Sequence, residues 1–229
     1  VTGVQTCALP ISLDPSIRDY LDDFRREYPV EEIEKLLDKV RDYRVLVIGD
    51  AIIDEYQYSR AMGKAAKENI IAGRSVGSEL FAGGVIAAAN HAAGFCKQVD
   101  VITCLGLRDS YEDVERGALH PNVNADFLYR SDVPTTRKTR FIDPAHLRKL
   151  FEIYYFDDRP IDGALEADFV AKIREKAPQY DVVVVTDFGH GLITPAAIQA
   201  LTESAKFLAI NAQTNSANLG YNQIGRAHV

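Results

Sequence analysis

The sequence predicts an α/β domain on a doubly wound, mainly parallel sheet with helices on both faces, and three observations carry that expectation. The runs RVLVIGD (44–50), VDVITCLG (99–106), DVVVVTDFG (181–189) and FLAIN (207–211) are short, apolar and end in Gly, Asp or Asn, as strands buried on both faces of a parallel sheet do. Stretches with helical character at 84–95, 165–176 and 194–205 precede or separate several of these runs, which is the alternation of a right-handed α/β fold. The composition, 47% hydrophobic and 26% charged over 229 residues, is that of a globular chain long enough for one sizeable core.

Taken in order, Asp14-Pro15-Ser16 reads as a helix start. Ile17, Tyr20, Leu21, Phe24 and Tyr28 then recur at helical spacing until Pro29 stops them. A second helix follows on Val30, Ile33, Leu36, Leu37 and Val40, with Glu31, Glu32 and Glu34 early and Lys39 and Arg41 late, as the helix dipole favours. These helices form an extension over 13–43, ahead of a main domain over 44–223. Inside that domain, 68–81 and 122–156 break the rhythm: they are rich in β-branched and aromatic residues with shorter alternation. They are expected as antiparallel strands outside the main sheet, with lid strands at about 68–82 and 122–156. The helix over 194–205 should open on Thr194 as N-cap with Pro195 in its first turn.

The two ends read differently from the rest. TCALPI (6–11) can be written ACG TGT GCT CTT CCG ATC, and its complementary strand, read one base in, encodes Ile-Gly-Arg-Ala-His-Val, which is 224–229. One short oligonucleotide thus accounts for both termini, and it resembles a sequencing adapter. Segments 1–12 and 224–229 are therefore set aside from fold reasoning, and the sequence between them is expected to be part of a longer reading frame, incomplete at its C-terminus. Without Arg226 the formal charge moves from −7 to −8, which argues against a nucleic-acid partner met through a basic face. No apolar run approaches a membrane span, so no membrane partner is expected. Cys96 and Cys104 lack the spacing of a zinc site, and a reduced, cytoplasmic setting fits them.

In open α/β sheets ligands bind beyond the carboxyl ends of the strands, so the polar residues after each buried run are the candidates. In GDAIID, Asp50 and Asp54 suit sugar hydroxyls or a cation, or serve as turn and cap residues. Gly83 and Gly84 open a small-residue helix where backbone N–H groups can approach a polar ligand, or where close packing on the sheet needs them. In TTRKTRF, Lys138 and Arg140 share one side of a strand and Arg137 faces the other. Such a pair fits a phosphate or carboxylate, or simply keeps an exposed strand soluble. In TDFGHG, Asp187 can orient a phosphate or a metal–nucleotide complex, Gly189 and Gly191 permit close approach, and His190 adds a donor or is an ordinary loop residue. No Walker-type loop or Ser-His-Asp order is present.

In this order, these motifs resemble the ribokinase-like (PfkB) sugar kinases, most closely the heptose-phosphate kinases, from about 44 to 223. VIGDAIIDEY is similar to the first strand with its substrate Asp, here Asp54. ELFAGGVIAAANHAAGF resembles the Gly-Gly signature, TTRKTRF the Thr-x-x-Lys-x-Arg strand, and VVVVTDFGHG the Asp-Tyr-x-Lys-Gly loop. The resemblance implies transfer of the ATP γ-phosphate to a sugar or sugar-phosphate hydroxyl, with Mg²⁺ and a basic residue offsetting charge. It also implies Asp54, Gly83, Gly84, Lys138 and Arg140 near the sugar, Asp187, His190 and Asn211 near nucleotide or phosphate, and a small β-lid that closes on the sugar and pairs two subunits. The catalytic Asp, in a Gly-Ala-Gly-Asp segment, is expected downstream of Gln223, so the fragment itself is expected to be inactive. A nucleotidyltransferase domain beyond it is compatible with the resemblance.

Three departures qualify it. Ala87 stands where the family carries Asn, His190 where it carries the loop Lys, and Asn211-Ala212-Gln213 where it carries Asp-Pro-Lys. Each removes a charge or hydrogen-bonding group. The alternative they motivate is a non-catalytic sugar- or nucleotide-binding domain on the same fold.

Overall fold

The computed structural model describes residues 14–213; the segments set aside at 1–12 and 224–229 lie outside them. The chain divides into two compact units, one ending at Arg41 and one beginning at Asp42. The first holds α1 (Pro15–Glu27) and α2 (Val30–Val40). Asp14 caps α1 as its sequence predicts, accepting from the Ser16 amide at 2.9 Å. Tyr20, Phe24 and Tyr28 form a ladder of ring contacts along α1.

The second unit contains two sheets. The main one has the order β5-β4-β1-β8-β9 and is parallel throughout, formed by β1 (Arg44–Gly49), β4 (Gln98–Arg108), β5 (Val123–Pro134), β8 (Val182–Asp187) and β9 (Leu208–Ala212). Alternation along the strands sends Leu46, Ile48, Ile102, Val183 and Val185 to one face. There they meet Phe169 and Ile173 of α5 (Gly163–Lys176) and Ala197 and Leu201 of α6 (Pro195–Ser204). On the other face, α3 (Gly84–Ala93) packs on β1 and β4 through buried Val85, Ile86 and Ala89. Helices thus cover both faces, which is why these strands read as continuous apolar runs.

Thr194 caps α6 through a 3.2 Å bond from the Ala197 amide. Thr194→Ala is expected to cost about 1 kcal/mol, read as a lower denaturant midpoint with an unchanged slope.

The second sheet has the order β3-β2-β6-β7 and contains β2 (Ala51–Lys64), β3 (Ile71–Gly83), β6 (Thr136–Asp143) and β7 (Arg148–Tyr155). It corrects the expectation for 122–156. β5 is not outside the main sheet: it pairs parallel with β4 from Val99↔Val123 onward, and only β6 and β7 belong to the second sheet. Edge position explains the misreading, because β5 has one strand neighbour and a mixed burial pattern that alternates like a half-exposed strand. The stretch beginning at Ala51 is likewise a separate strand. The chain leaves the main sheet at Asp50 and enters β2. α4 (Glu112–Ala118) packs against β3 and lacks a sequence signal, being one short, highly charged turn pair.

Candidate functional site

Four chain crossings join the two sheets: at 50–51, at 83–84, at 134–136 and at 156–162. The candidate residues gather around them.

β2 and β6 run in parallel with Asp54 opposite Lys138 and Tyr56 opposite Arg140, and β7 adds Tyr154 and Glu152 in register with the same pair. Period-2 alternation therefore puts Asp54, Tyr56, Lys138, Arg140, Glu152 and Tyr154 on one face. Arg140 joins its Nη1 to Asp54 and its Nε to Glu152 at 3.2 Å, with its guanidinium 5.6 Å from the Tyr56 ring centroid. Lys138 is half-buried beside the Tyr154 ring. Burial lowers its ammonium pKa, opposed by Asp54, with further pull from Asp50 and Asp158 and repulsion from Arg140. Three carboxylates from different elements thus act on one lysine. Arg137 faces the other way, as expected, and closes on buried Glu55, which also accepts from Thr139 at 2.6 Å.

The glycine pair fits beneath this face. A Cβ on Gly83 would lie 2.3 Å from Asp54 Oδ2, and one on Gly84, whose φ is +52°, would lie 2.3 Å from the Asp50 carbonyl. Only glycine allows both approaches. The pair therefore serves the packing of Asp54 as well as the start of α3.

Asp50 is buried and accepts at Oδ2 from the backbone N–H of Phe188 at 2.8 Å and of His190 at 3.4 Å. Burial raises its pKa, opposed by His190 and those two amides and reinforced by Asp187. Asp187, also buried, accepts from the Gly189 amide at 2.9 Å, and Gly189 and Gly191 take φ of 77° and 86°. Asp158, Asp187, Gly189, Gly191, Thr194 and Pro195 line a pocket of about 340 Å³ beside the N-terminus of α6. His190 is buried, with its Nδ1 2.7 Å from Asp158 Oδ1. Asn211 is exposed on β9, in register with Thr186; the next residue, Ala212, lies opposite Asp187, and the Gln213 amide donates to the Asp187 carbonyl at 2.8 Å.

No family model matches the chain. Curated relatives do: it is 25% identical over 180 residues to the bifunctional protein HldE of Citrifermentans bemidjiense, covering 78% of this chain and 37% of that one. It is 28% identical over 167 residues to the D-beta-D-heptose 7-phosphate kinase of Bordetella bronchiseptica, covering 73% and 50%. Among solved structures it superposes on a possible 1-phosphofructokinase of Thermotoga maritima with TM-score 0.55 at 13% identity, covering 73% of this chain and 53% of that one. Phosphofructokinase-2 of Escherichia coli, in complex with fructose-6-phosphate, gives the same TM-score at 12% identity, covering 73% and 54%. The chain has a ribokinase-like fold.

This ribokinase-like chain spans about a third to a half of the length of the curated relatives it matches. Two residues that its sequence did not single out stand at the site. Asp158 lines the pocket beside the N-terminus of α6, and its only sequence signal is the acidic pair 157–158 after an aromatic strand. Glu115 of α4 is 0% exposed, neither carboxylate oxygen has a hydrogen-bond partner among the described residues, and Asp54 acts on it electrostatically. Nothing in EDVERGA marks that residue as the buried one.

Among the described residues no group of three His, Cys, Asp or Glu side chains could hold a metal ion, and no helix is long and apolar enough to cross a membrane.

Proposed function

We propose that the chain is the sugar-binding part of an ATP-dependent kinase acting on a sugar phosphate of the heptose-phosphate type. The observation that carries this reading is the Asp54–Arg140–Lys138 face on the second sheet, set over the glycine pair at the carboxyl ends of the parallel strands. Asp54 accepts from sugar hydroxyls, while Lys138 and Arg140 supply positive charge for a phosphate. On the main sheet, the pocket around Asp187 and the α6 N-terminus takes the nucleotide phosphates.

Mg²⁺ fits this arrangement as the counter-ion of the nucleotide rather than as an ion in a protein cage, since Mg²⁺ commonly binds through one or two carboxylates plus phosphates. Asp187 is the residue that would hold it, and the ion would offset phosphate charge. In the transfer, a sugar hydroxyl oxygen bonds to the γ-phosphorus and the bond to the β–γ bridging oxygen breaks. ADP leaves with that electron pair, and the hydroxyl proton passes to a carboxylate base. Among the described residues none is assigned as that base.

The intact protein is expected to consume ATP in the presence of a heptose 7-phosphate, and the isolated chain to bind that sugar phosphate without ATP consumption. Binding by the intact protein with no turnover across a panel of sugar phosphates would favour the non-catalytic alternative.

The reverse face of the second sheet supports pairing of two copies. Leu80, Phe151, Ile153 and Tyr155 lie there, each 40–54% exposed, with Phe141 stacked on Phe151 at 4.3 Å. Ile153→Lys is expected to convert a dimer to a monomer in sedimentation velocity; an unchanged sedimentation coefficient would remove this face from the interface.

A further inference from the structure

The loop 188–191 holds two of the four crossings at once. Toward the first crossing, the Phe188 and His190 amides donate to Asp50. Toward the fourth, His190 Nδ1 meets Asp158, the imidazole lies 5.6 Å from the Phe156 ring, and the Ile161 amide donates to the Gly191 carbonyl at 2.9 Å. A Cβ on Gly191 would lie 2.3 Å from the Arg159 carbonyl, so the two backbones touch at that point.

The fourth crossing is the only covalent link from β7 back to the main sheet's helices, entering α5. Its position relative to the loop therefore bears on the position of the second sheet. His190 also lines a polar cavity of about 30 Å³, together with Asp50, Thr135, Thr136 and Asp157, which come from the first, third and fourth crossings. Its Nε2 is buried without a hydrogen-bond partner among the described residues. Among the described residues the imidazole is thus hydrogen-bonded through Nδ1 alone. At this junction of the sheets, the His190–Asp158 bond joins the loop to the crossing beside the His190–Phe156 ring contact.

The resemblance places a ligand-reaching lysine at this position; here the side chain is buried and engaged by a carboxylate of the crossing. We propose that Asp158 is a positioning residue, which through His190 ties the loop that follows Asp187 to the fourth crossing, so that the loop and the second sheet move as one body. Asp158 acts on the nucleotide-side pocket through that loop as well as by lining it. The tie is a property of the free protein and does not rest on the kinase reading.

The test is residue-resolved amide hydrogen exchange on the intact protein without ligand, for wild type, Asp158→Ala, Asp158→Asn, His190→Ala and the Asp158→Ala/His190→Ala double variant. In both alanine single variants, exchange at the Ile161, Phe188 and Gly189 amides is expected to quicken by about tenfold or more, the scale of losing one charge-assisted hydrogen bond. Amides of β1 and β4 should stay protected. The double variant should exchange no faster than either single one, because both remove the same bond. Asp158→Asn, whose side-chain oxygen still accepts from Nδ1–H, should keep most of the protection. Unchanged exchange at the three amides, additive effects in the double variant, or loss of protection spread through β1 and β4 in every variant would each overturn the tie.

Discussion

Glu115→Gln is expected to abolish the part of the wild-type protein's stability loss between pH 4.5 and about pH 8 that comes from Glu115. Burial pushes the Glu115 carboxyl from 4.5 up to about 8, and the negative charge of Asp54 adds to it. The folded protein therefore keeps this proton where the unfolded chain has released it. In that window the unfolded state binds fewer protons than the folded one, so stability falls as pH rises. The contribution is fully present below pH 4.5 and fully lost above about pH 8, with a span on the order of 5 kcal/mol at most. Gln has the shape of the neutral acid and does not ionise, so the variant should be the more stable protein at pH 8, and wild type and variant should converge near pH 4. Thermal melts at several pH values would check this; parallel wild-type and variant profiles would show that Glu115 ionises normally. Other carboxylates, including Asp50, titrate in both proteins, so the difference between the two profiles isolates Glu115.

Asp54→Ala should weaken binding of a heptose 7-phosphate to the intact protein by roughly 10- to 100-fold per lost hydrogen bond, since hydrogen bonds to a charged group contribute about 1.5–3 kcal/mol each. The fold should survive, because Arg140 retains Glu152 at 3.2 Å. Arg137→Ala is the informative contrast. It lies one residue from Lys138 but on the opposite face, where it pairs with buried Glu55. Removing it should cost stability, by leaving a buried carboxylate with Thr139 and Gln57 as partners, while sugar-phosphate affinity stays within about threefold. Calorimetric titration of both variants separates the two faces; equal losses of affinity would show that the sugar does not sit on the Asp54 side.

The part of the site on β6 was legible because strand alternation is a local rule. Two residues apart means one face, so Lys138 and Arg140 could be paired, and Arg137 set against them, from TTRKTRF alone. The position of Asp187 and the glycines after it, at the end of a buried parallel strand and lining a pocket, was legible for a similar reason. Asp158 was not. It becomes part of the site only because β7 returns to α5 beside the loop after β8, a contact across 32 residues that no local pattern encodes. Glu115 shows the reverse difficulty. Its neighbours Glu112, Asp113 and Arg116 are charged and at least partly exposed, and which member of a charged helical turn is buried depends on the strand it packs against. Asn211 was placed by analogy near nucleotide or phosphate; it lies exposed on β9, one residue before the position opposite Asp187.

The sequence by itself determined the parallel α/β architecture, the helix caps at Asp14 and Thr194, and the sidedness of the β6 residues. Each of these follows from burial periodicity or capping chemistry that acts within a few residues. Only the tertiary structure decided that Asp50 ends one sheet and begins the crossing to another, that β5 belongs to the main sheet, and that His190 is engaged by Asp158. These are questions of which strand edge a segment pairs with and which segments meet. Pairing partners are chosen by the summed packing of the whole chain, so equally apolar or equally alternating segments remain indistinguishable until that packing is known.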